Sequence, residues 1–165
     1  MKNNLVLIGM PSSGKSTLGV LLAKALGMDF IDTDILIQNE TNRKLQDIIT
    51  NDGIDKFLEI EDEILNDINV TNTVISTGGS AIFGDRSMNH LKETSKVIYI
   101  KLPYEEIERR IEDINTRGIA MSKDETLLDV YNKRIPLYEK YADIFLETLN
   151  LSIESSVEKL IKLLK

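Results

Sequence analysis

The residues with the clearest chemical signature lie near the start of the chain, where positions 9–16 read GMPSSGKS. They match the pattern G-x-x-x-x-G-K-[ST] at every fixed position, with a short apolar run before them and a helical pattern after them. In such a loop, backbone N–H groups and the N-terminus of the following helix surround phosphate oxygens. Lys15 would bring its charge to the β- and γ-phosphates from a solvent-facing loop, and the Ser16 hydroxyl would ligate Mg²⁺. The motif therefore predicts a nucleotide site.

Two carboxylates, Asp32 and Asp34, follow the short apolar run Phe30-Ile31. Taken alone, such a pair is typical of the N-terminal cap of a helix. If the run is a strand that neighbours the strand before the phosphate loop, the pair faces the γ-phosphate instead. Asp32 could then hold Mg²⁺ through water, and Asp34 could accept a hydrogen bond from an acceptor hydroxyl. Phosphoryl transfer needs mainly positioning and charge neutralisation, so a carboxylate that orients the nucleophile suffices.

The sequence TGGS at positions 77–80 follows another apolar run. It is typical of a plain turn. It also suits a binding loop, because Gly78 and Gly79 have no side chains and allow backbone N–H groups to approach a ligand closely.

Three arginines in the second half of the chain are candidates for binding anions. Arg110 lies on a predicted helix rich in glutamate, where ion pairs on a solvated face explain it as well. Arg117 opens a polar stretch that ends at Glu125, as expected for a mobile lid whose arginine reaches the transferred phosphate. Arg134 comes two residues before Pro136, where a helix is expected to break or kink, and its planar group suits a carboxylate.

Composition limits the classes of protein to which these residues can belong. The chain has 165 residues, 42% of them hydrophobic and 28% charged, which fits one globular domain over residues 1–165 and excludes disordered, collagen-like and coiled-coil proteins. The absence of cysteine excludes disulfides, thiolate metal sites and cysteine nucleophiles. A net charge of −7 disfavours non-specific binding to nucleic acid or acidic membranes. Without an apolar run long enough for a membrane or a secretory signal, a soluble cytoplasmic protein is expected.

The apolar pattern predicts the elements that must position these residues. Short β-branched or aromatic runs are typical of buried parallel strands, and they occur at 5–8, 73–76, 97–102 and 144–146, with a weaker one at 30–31. Helical periodicity occurs at 17–26, 55–68 and 155–164. This alternation predicts an α/β sandwich with helices on both faces of the sheet and ligands at the carboxyl ends of the strands.

A nucleotide site alone leaves several functions open, from GTPases and motors to ATPases and small-molecule kinases. The chain is too short for a motor, it lacks the N-K-x-D motif that reads guanine, and the run at 97–102 ends at Pro103 instead of an aspartate. A small kinase is the class that remains. A nucleotide-binding regulatory protein without transfer activity is the alternative from a different class.

The whole chain resembles shikimate kinase. The similar segments read GMPSSGKST, FIDTD, NDGIDKFLEIEDEIL, STGGSAI, ERRIEDINTRG and KRIPLYEKYAD. The D-T-D sequence and the R-x-P-L-Y-E sequence are more specific than the phosphate loop alone. The resemblance implies a P-loop kinase with a three-layer α/β sandwich, a five-stranded parallel sheet of order 2-3-1-4-5, a substrate-binding region at about 33–61 and a lid at about 112–125.

The resemblance also implies a role for each matching residue. The catalytic residues would be Lys15, Asp34 and Arg117, where Asp34 activates the acceptor and Arg117 acts from the lid. Mg²⁺ would be held by Ser16 and Asp32, and Arg110 would stack on the adenine. Binding to ATP would involve Ser12, Ser13, Gly14, Lys15, Ser16, Thr17, Arg110 and Arg117. Binding to shikimate would involve Asp34, Gly78, Gly79 and Arg134, the last through the shikimate carboxylate.

The chain departs from the family pattern in the substrate region. The family usually reads G-E-x-x-F-R-x-x-E, whereas residues 53–61 read GIDKFLEIE. Leu58 therefore stands where an arginine would be a second partner of the carboxylate, although Glu61, which normally braces that arginine, remains. Leu58 either widens the apolar stripe of its helix or lines the acceptor pocket. Ser80 also replaces the third glycine of the family's triple glycine, and Gly118 replaces the proline of the lid.

Together these features predict a Mg²⁺-dependent, monomeric ATP:shikimate 3-phosphotransferase of aromatic amino-acid biosynthesis. Because of Leu58, a related kinase whose acceptor has no carboxylate is the first alternative. A shikimate kinase-like nucleotide-binding protein with weak or lost transfer activity is the second.

Overall fold

A five-stranded, wholly parallel sheet forms the centre of the protein, which a computed structural model describes at residues 1–111 and 118–165. Its strands run in the order β2-β3-β1-β4-β5. Their bounds are Asn4–Ile8 for β1, Asp29–Asp32 for β2, Thr73–Ser76 for β3, Ser95–Lys101 for β4 and Ile144–Glu147 for β5. Each predicted strand is present, and the strand order implied by the resemblance is confirmed.

Eight α-helices lie along the described part of the chain. Their bounds are Lys15–Leu26 (α1), Thr33–Thr41 (α2), Leu45–Asp52 (α3), Ile54–Asn66 (α4), Asp85–Thr94 (α5), Tyr104–Arg110 (α6), Leu127–Tyr141 (α7) and Ile153–Leu164 (α8). A short 3-10 helix covers Ala81–Phe83. The periodicities at 17–26, 55–68 and 155–164 correspond to α1, α4 and α8. No helix in the described residues is long and apolar enough to cross a membrane.

Alternating side chains of the strands supply two separate hydrophobic cores, one on each face of the sheet. In β1, Leu5 and Leu7 pack with Leu18 and Leu22 of α1 and with Leu160 of α8. The intervening residues of β1 face the opposite core, which includes the buried side chains Val6, Ile8, Ile48, Phe57, Met88, Val130 and Tyr138. The structure therefore has helices on both faces of the sheet, as predicted, and the middle strand is buried on both sides.

The structure corrects the sequence expectations about β5 and α7. The run at 144–146 is not fully buried, since β5 lies at the edge of the sheet and Phe145 is 46% exposed. Of the break or kink expected near Pro136, the break is absent, because helix α7 continues through Pro136 to Tyr141. Proline in a helix removes one backbone donor, but the buried side chains of α7, Val130 and Tyr138 among them, keep the helix packed on the core.

The carboxyl ends of three strands bring the candidate residues to one edge of the sheet. Strand β1 leads into the loop before α1, β2 ends at Asp32, and β3 ends one residue before the turn at 77–80. The expectation that β2 neighbours β1 is wrong, since β3 lies between them. Asp32 nevertheless reaches the loop, because all three strands are parallel and end at the same edge.

Candidate active site

A cavity of about 260 Å³ opens at this edge of the sheet. Most of the predicted site residues line it, together with several that the sequence did not single out. The lining consists of Pro11, Ser12, Gly14, Lys15, Ser16, Thr17, Asp34, Phe57, Thr77, Gly78, Gly79, Ser80, Gly118, Ile119, Ala120 and Arg134. Phosphate-binding and acceptor-binding candidates thus share one cavity.

Lys15 is the first residue of α1 and is only 7% exposed, so the expectation that it lies in a solvent-facing loop is wrong. Its Nζ atom donates hydrogen bonds to the carbonyl oxygens of Gly9 and Met10, each over 2.8 Å. Burial lowers the pKa of Lys15 to about 8, although the nearby Asp34 carboxylate works in the opposite direction. The ammonium group is therefore held inside the loop, where phosphate oxygens would lie.

The loop around Lys15 has two further features that fit an anion. Ser12 has a positive φ of 63°, which is uncommon for a residue other than glycine, and its Oγ is buried without a hydrogen-bond partner in the described residues. Arg110 lies beside the loop, with Nη1 3.5 Å from the Ser12 carbonyl oxygen. Its Nε also donates to Glu106 over 2.7 Å, so the expected ion pair and a position near the nucleotide loop are both present.

Asp32 uses its two carboxylate oxygens for different purposes. Oδ1 accepts hydrogen bonds from the backbone N–H groups of Asp34 and Ile35, at 3.0 and 3.3 Å, and so caps α2. Oδ2 accepts a hydrogen bond from the Ser16 hydroxyl over 2.6 Å. The capping and metal-binding interpretations of this aspartate are therefore compatible. The hydrogen bond brings the Ser16 hydroxyl and an Asp32 carboxylate oxygen together beside the phosphate loop, and oxygen atoms are the ligands that Mg²⁺ prefers.

Asp34 is half-buried and lines the cavity together with the phosphate loop. The pKa of Asp34 is raised to about 6, mainly by burial and also by the charge of Asp32, and Lys15 partly offsets both effects. A carboxylate with a pKa in this range is still mostly ionised at neutral pH and can accept a proton.

The turn at 77–80 packs directly against the charged groups of the site. A Cβ atom on Gly78 would lie 2.6 Å from Asp34 Oδ1, and one on Gly79 would lie 2.8 Å from Arg134 Nη1. A larger residue at either position would have to displace one of these charged groups. The Gly78 N–H group donates a hydrogen bond to Thr33 Oγ1 over 3.1 Å, whereas the Gly79 N–H group has no partner in the described residues.

Arg134 is 1% exposed, and two contacts fix its guanidinium group. Nη2 donates to the Ala120 carbonyl oxygen over 3.0 Å, while Nη1 lies against Gly79. Tyr138, one turn later on α7, donates to the Gly79 carbonyl oxygen over 2.6 Å. The cavity therefore has a buried cation, the Arg134 guanidinium group, in its lining.

Glu61 is a buried acid, expected from the sequence only as the brace of an absent arginine. Its side chain is 2% exposed, and Oε1 accepts a hydrogen bond from Ser80 Oγ over 2.7 Å. Oε2 has no partner in the part of the chain that the structure describes, and burial raises the pKa of Glu61 to about 7. The buried residues of α4 are Phe57, Glu61 and Leu65, a spacing of four. That spacing is a sequence signal that could have identified Glu61 as buried.

Leu58 and Arg117 complete the list of predicted residues. Leu58 is half-buried, packs against the core and lines a small cavity that adjoins the main one. Arg117 falls outside the described residues, as do positions 112–116 of the predicted lid. The sequence predicts a polar, mobile segment here, but Ile119 is buried in the core and is only 6% exposed.

The sheet order and the site together define a class of protein. A parallel sheet of order 2-3-1-4-5, with a phosphate loop after its first strand and a carboxylate bonded to that loop from the second, defines a P-loop kinase. The sequence profile of the shikimate kinase family matches residues 11–165. The chain therefore belongs to the shikimate kinase family.

Individual relatives agree with this assignment. A shikimate kinase from Clostridium botulinum is 39% identical over 166 residues, covering 98% of this chain and 96% of the relative. A shikimate kinase from Thermodesulfovibrio yellowstonii is 34% identical, covering 96% and 93%. Among solved structures, a shikimate kinase from Acinetobacter baumannii in complex with shikimate has a TM-score of 0.90 at 28% identity, covering 98% of this chain and 92% of that one.

Proposed function

We propose that this chain transfers the γ-phosphoryl group of ATP to the 3-hydroxyl group of shikimate, which gives ADP and shikimate 3-phosphate for aromatic amino-acid biosynthesis. The observation that carries the proposal is one cavity lined by a phosphate-binding lysine, a half-buried carboxylate and a buried arginine, namely Lys15, Asp34 and Arg134. The relative from Acinetobacter baumannii, which was solved with shikimate, supports the choice of acceptor.

The phosphate loop has the groups needed on the nucleotide side. Backbone N–H groups of residues 12–17 and the Lys15 ammonium bind the phosphates, and Arg110 stacks on the adenine from beside the loop. Ser16 would ligate Mg²⁺ and Asp32 would hold it through water, and the bound ion would supply positive charge that neutralises the phosphates. The described residues contain no cluster of three acidic or histidine ligands, which suits a metal that keeps waters and phosphate oxygens as its other ligands.

On the acceptor side, Asp34 accepts the proton of the attacking hydroxyl group as the new P–O bond forms and the bond to ADP breaks. The unpaired N–H group of Gly79 donates a hydrogen bond to the acceptor. Close packing of the glycine turn keeps Asp34 and Arg134 in place. Arg134 binds the shikimate carboxylate. We further propose that residues about 112–125 form a lid, from which Arg117 reaches the transferred phosphate, and that the protein is a cytoplasmic monomer with one domain.

An acceptor panel tests the proposed function. The purified protein, ATP and Mg²⁺ are incubated with shikimate, its methyl ester, quinate and gluconate, and ADP release is measured. The product is then identified by mass spectrometry and phosphorus NMR. We expect turnover to be fastest with shikimate, with the phosphate on the 3-hydroxyl group, and to stop when EDTA removes Mg²⁺. Faster turnover of an acceptor without a carboxylate would contradict the choice of shikimate.

A further inference from the structure

A second, smaller cavity of about 70 Å³ adjoins the main cavity on the side of Arg134. The two cavities share Ala120 and Arg134 in their linings. The smaller one is also lined by Leu58, Phe83, Glu125 and Lys133. An acceptor group held by Arg134 would therefore lie where the two cavities meet.

Lys133 precedes Arg134 on α7, and both side chains approach the same aromatic ring. The Lys133 Nζ atom lies 5.4 Å from the centroid of Phe83, and the Arg134 Cζ atom lies 5.6 Å from it. This contact is a cation–π interaction, which keeps the lysine side chain near the small cavity. Lys133 forms no salt bridge with any carboxylate in residues 1–111 and 118–165.

From this geometry we infer that Lys133 is a specificity-determining residue, which binds the carboxylate of the acceptor together with Arg134. This inference rests on the proposed function. Leu58 gives this part of the pocket an apolar wall, so a carboxylate there has Arg134 and Lys133 as the cations that line the small cavity in the described residues. The only other cation in the described lining of the main cavity, Lys15, is bonded to the carbonyl oxygens of the phosphate loop.

Glu125 also lines the small cavity, and its charge opposes an incoming carboxylate. Its Oε1 atom accepts a hydrogen bond from the Ser122 N–H group over 2.9 Å, which holds it on its own loop. Glu125→Gln is therefore expected to lower the KM for shikimate, whereas a change at Lys133 raises it.

The test is Lys133→Met, which removes the charge but keeps most of the side-chain length over Phe83. Because Lys133 is exposed, we expect the KM for shikimate to rise by only about 3- to 10-fold, while kcat changes less than 2-fold. The KM for the methyl ester of shikimate, which has no negative charge, should stay the same. Lys133→Arg should restore the KM for shikimate to within about 2-fold of the parent.

Lys140→Met is the matched control, because Lys140 is exposed on the same helix and bonds to Asp85, away from both cavities. An equal rise in KM in both variants would show a general effect of charge and would overturn the inference. So would an equal rise for shikimate and its ester in Lys133→Met, or no rise at all.

Calorimetric titration with shikimate separates this inference from the proposed function. If the parent binds shikimate but does not phosphorylate it, the proposed function fails. A Kd for shikimate that rises in Lys133→Met and recovers in Lys133→Arg would still support Lys133 as a partner of the carboxylate. A Kd that is the same in the parent and in Lys133→Met would contradict that role.

Discussion

Ser80 donates a hydrogen bond from its hydroxyl group to Glu61 Oε1 over 2.7 Å, and both residues are buried. These two residues connect the two departures from the family pattern in the substrate region. Leu58 stands where the family pattern has an arginine that would pair with Glu61. Ser80 stands where the pattern has a glycine, and its hydroxyl group gives Glu61 a neutral hydrogen-bond donor instead. A single hydroxyl satisfies one carboxylate oxygen and leaves Oε2 without a partner in the described chain. Burial then raises the pKa of Glu61 to about 7.

Glu61→Gln is expected to change the pH dependence of stability. The pKa of Glu61 is about 7 in the folded protein against 4.5 as its ordinary value, so the folded state binds more protons between these limits. The contribution of Glu61 to the parent's free energy of unfolding therefore falls as pH rises from about 4.5 to about 7. Glutamine lacks this titration, so the variant should gain about 2–3 kcal/mol relative to the parent between pH 5 and pH 8.

Urea unfolding of both proteins from pH 5 to pH 8 measures this difference. Asp34 titrates in the same range but is present in both proteins, so its direct contribution cancels in the comparison. Ser80→Ala is the control, since it removes the donor and should destabilise the protein most at pH 8, where Glu61 is charged. A stability difference between Glu61→Gln and the parent that is independent of pH would contradict a titrating Glu61.

Asp34→Asn tests the residue proposed to accept the proton. We expect kcat to fall by about 10²- to 10⁴-fold, the range for loss of a positioned base, while the KM for ATP changes little. In the parent, kcat/KM should fall as pH drops through an apparent pKa near 6, because protonated Asp34 cannot accept the hydroxyl proton. That acid limb should be absent from the residual activity of the variant. Lost ATP binding with normal kcat would instead assign Asp34 to the nucleotide.

Lys15→Met tests the phosphate loop. Loss of a positioned charge at the transferred phosphate is expected to lower kcat by at least about 10²- to 10³-fold. Because Lys15 is buried and bonds to two loop carbonyl oxygens, the fold must be checked by circular dichroism and thermal unfolding. In the parent, ATP affinity should fall above pH 8, where Lys15 loses its proton. Turnover at the parent rate in the variant would show that the mechanism is wrong.

Leu58→Arg tests whether position 58 affects the acceptor. The new guanidinium group would enter the small cavity next to Arg134, where it could bind the shikimate carboxylate. We expect the KM for shikimate to fall by about 10-fold with little change in kcat, since the contact is the same in the ground state and the transition state. Leu58→Met, which keeps the apolar volume, is the control and should leave KM unchanged. An unaltered KM in Leu58→Arg would show that this position does not contact the acceptor.

The sequence alone determined the features of this protein that are local or repeated. The phosphate loop is contiguous, so its residues, the strand before it and the helix after it are readable from eight positions and their neighbours. The periods of apolar residues predicted the central strands and three of the helices, since burial of one face imposes those periods. The resemblance added the strand order and the family.

Only the tertiary structure decided what depends on residues far apart in the chain. Ser80 and Glu61 are 19 positions apart, and Asp32 and Ser16 are 16 apart. The hydrogen bond between Ser80 and Glu61 does not follow from a local pattern. Nor does the use of one Asp32 oxygen to cap α2 and of the other to accept a hydrogen bond from Ser16. The burial of Lys15, the exposure of Phe145 and the course of α7 through Pro136 have the same cause. Each is set by packing between elements, in which many contacts outweigh the preference of any single residue.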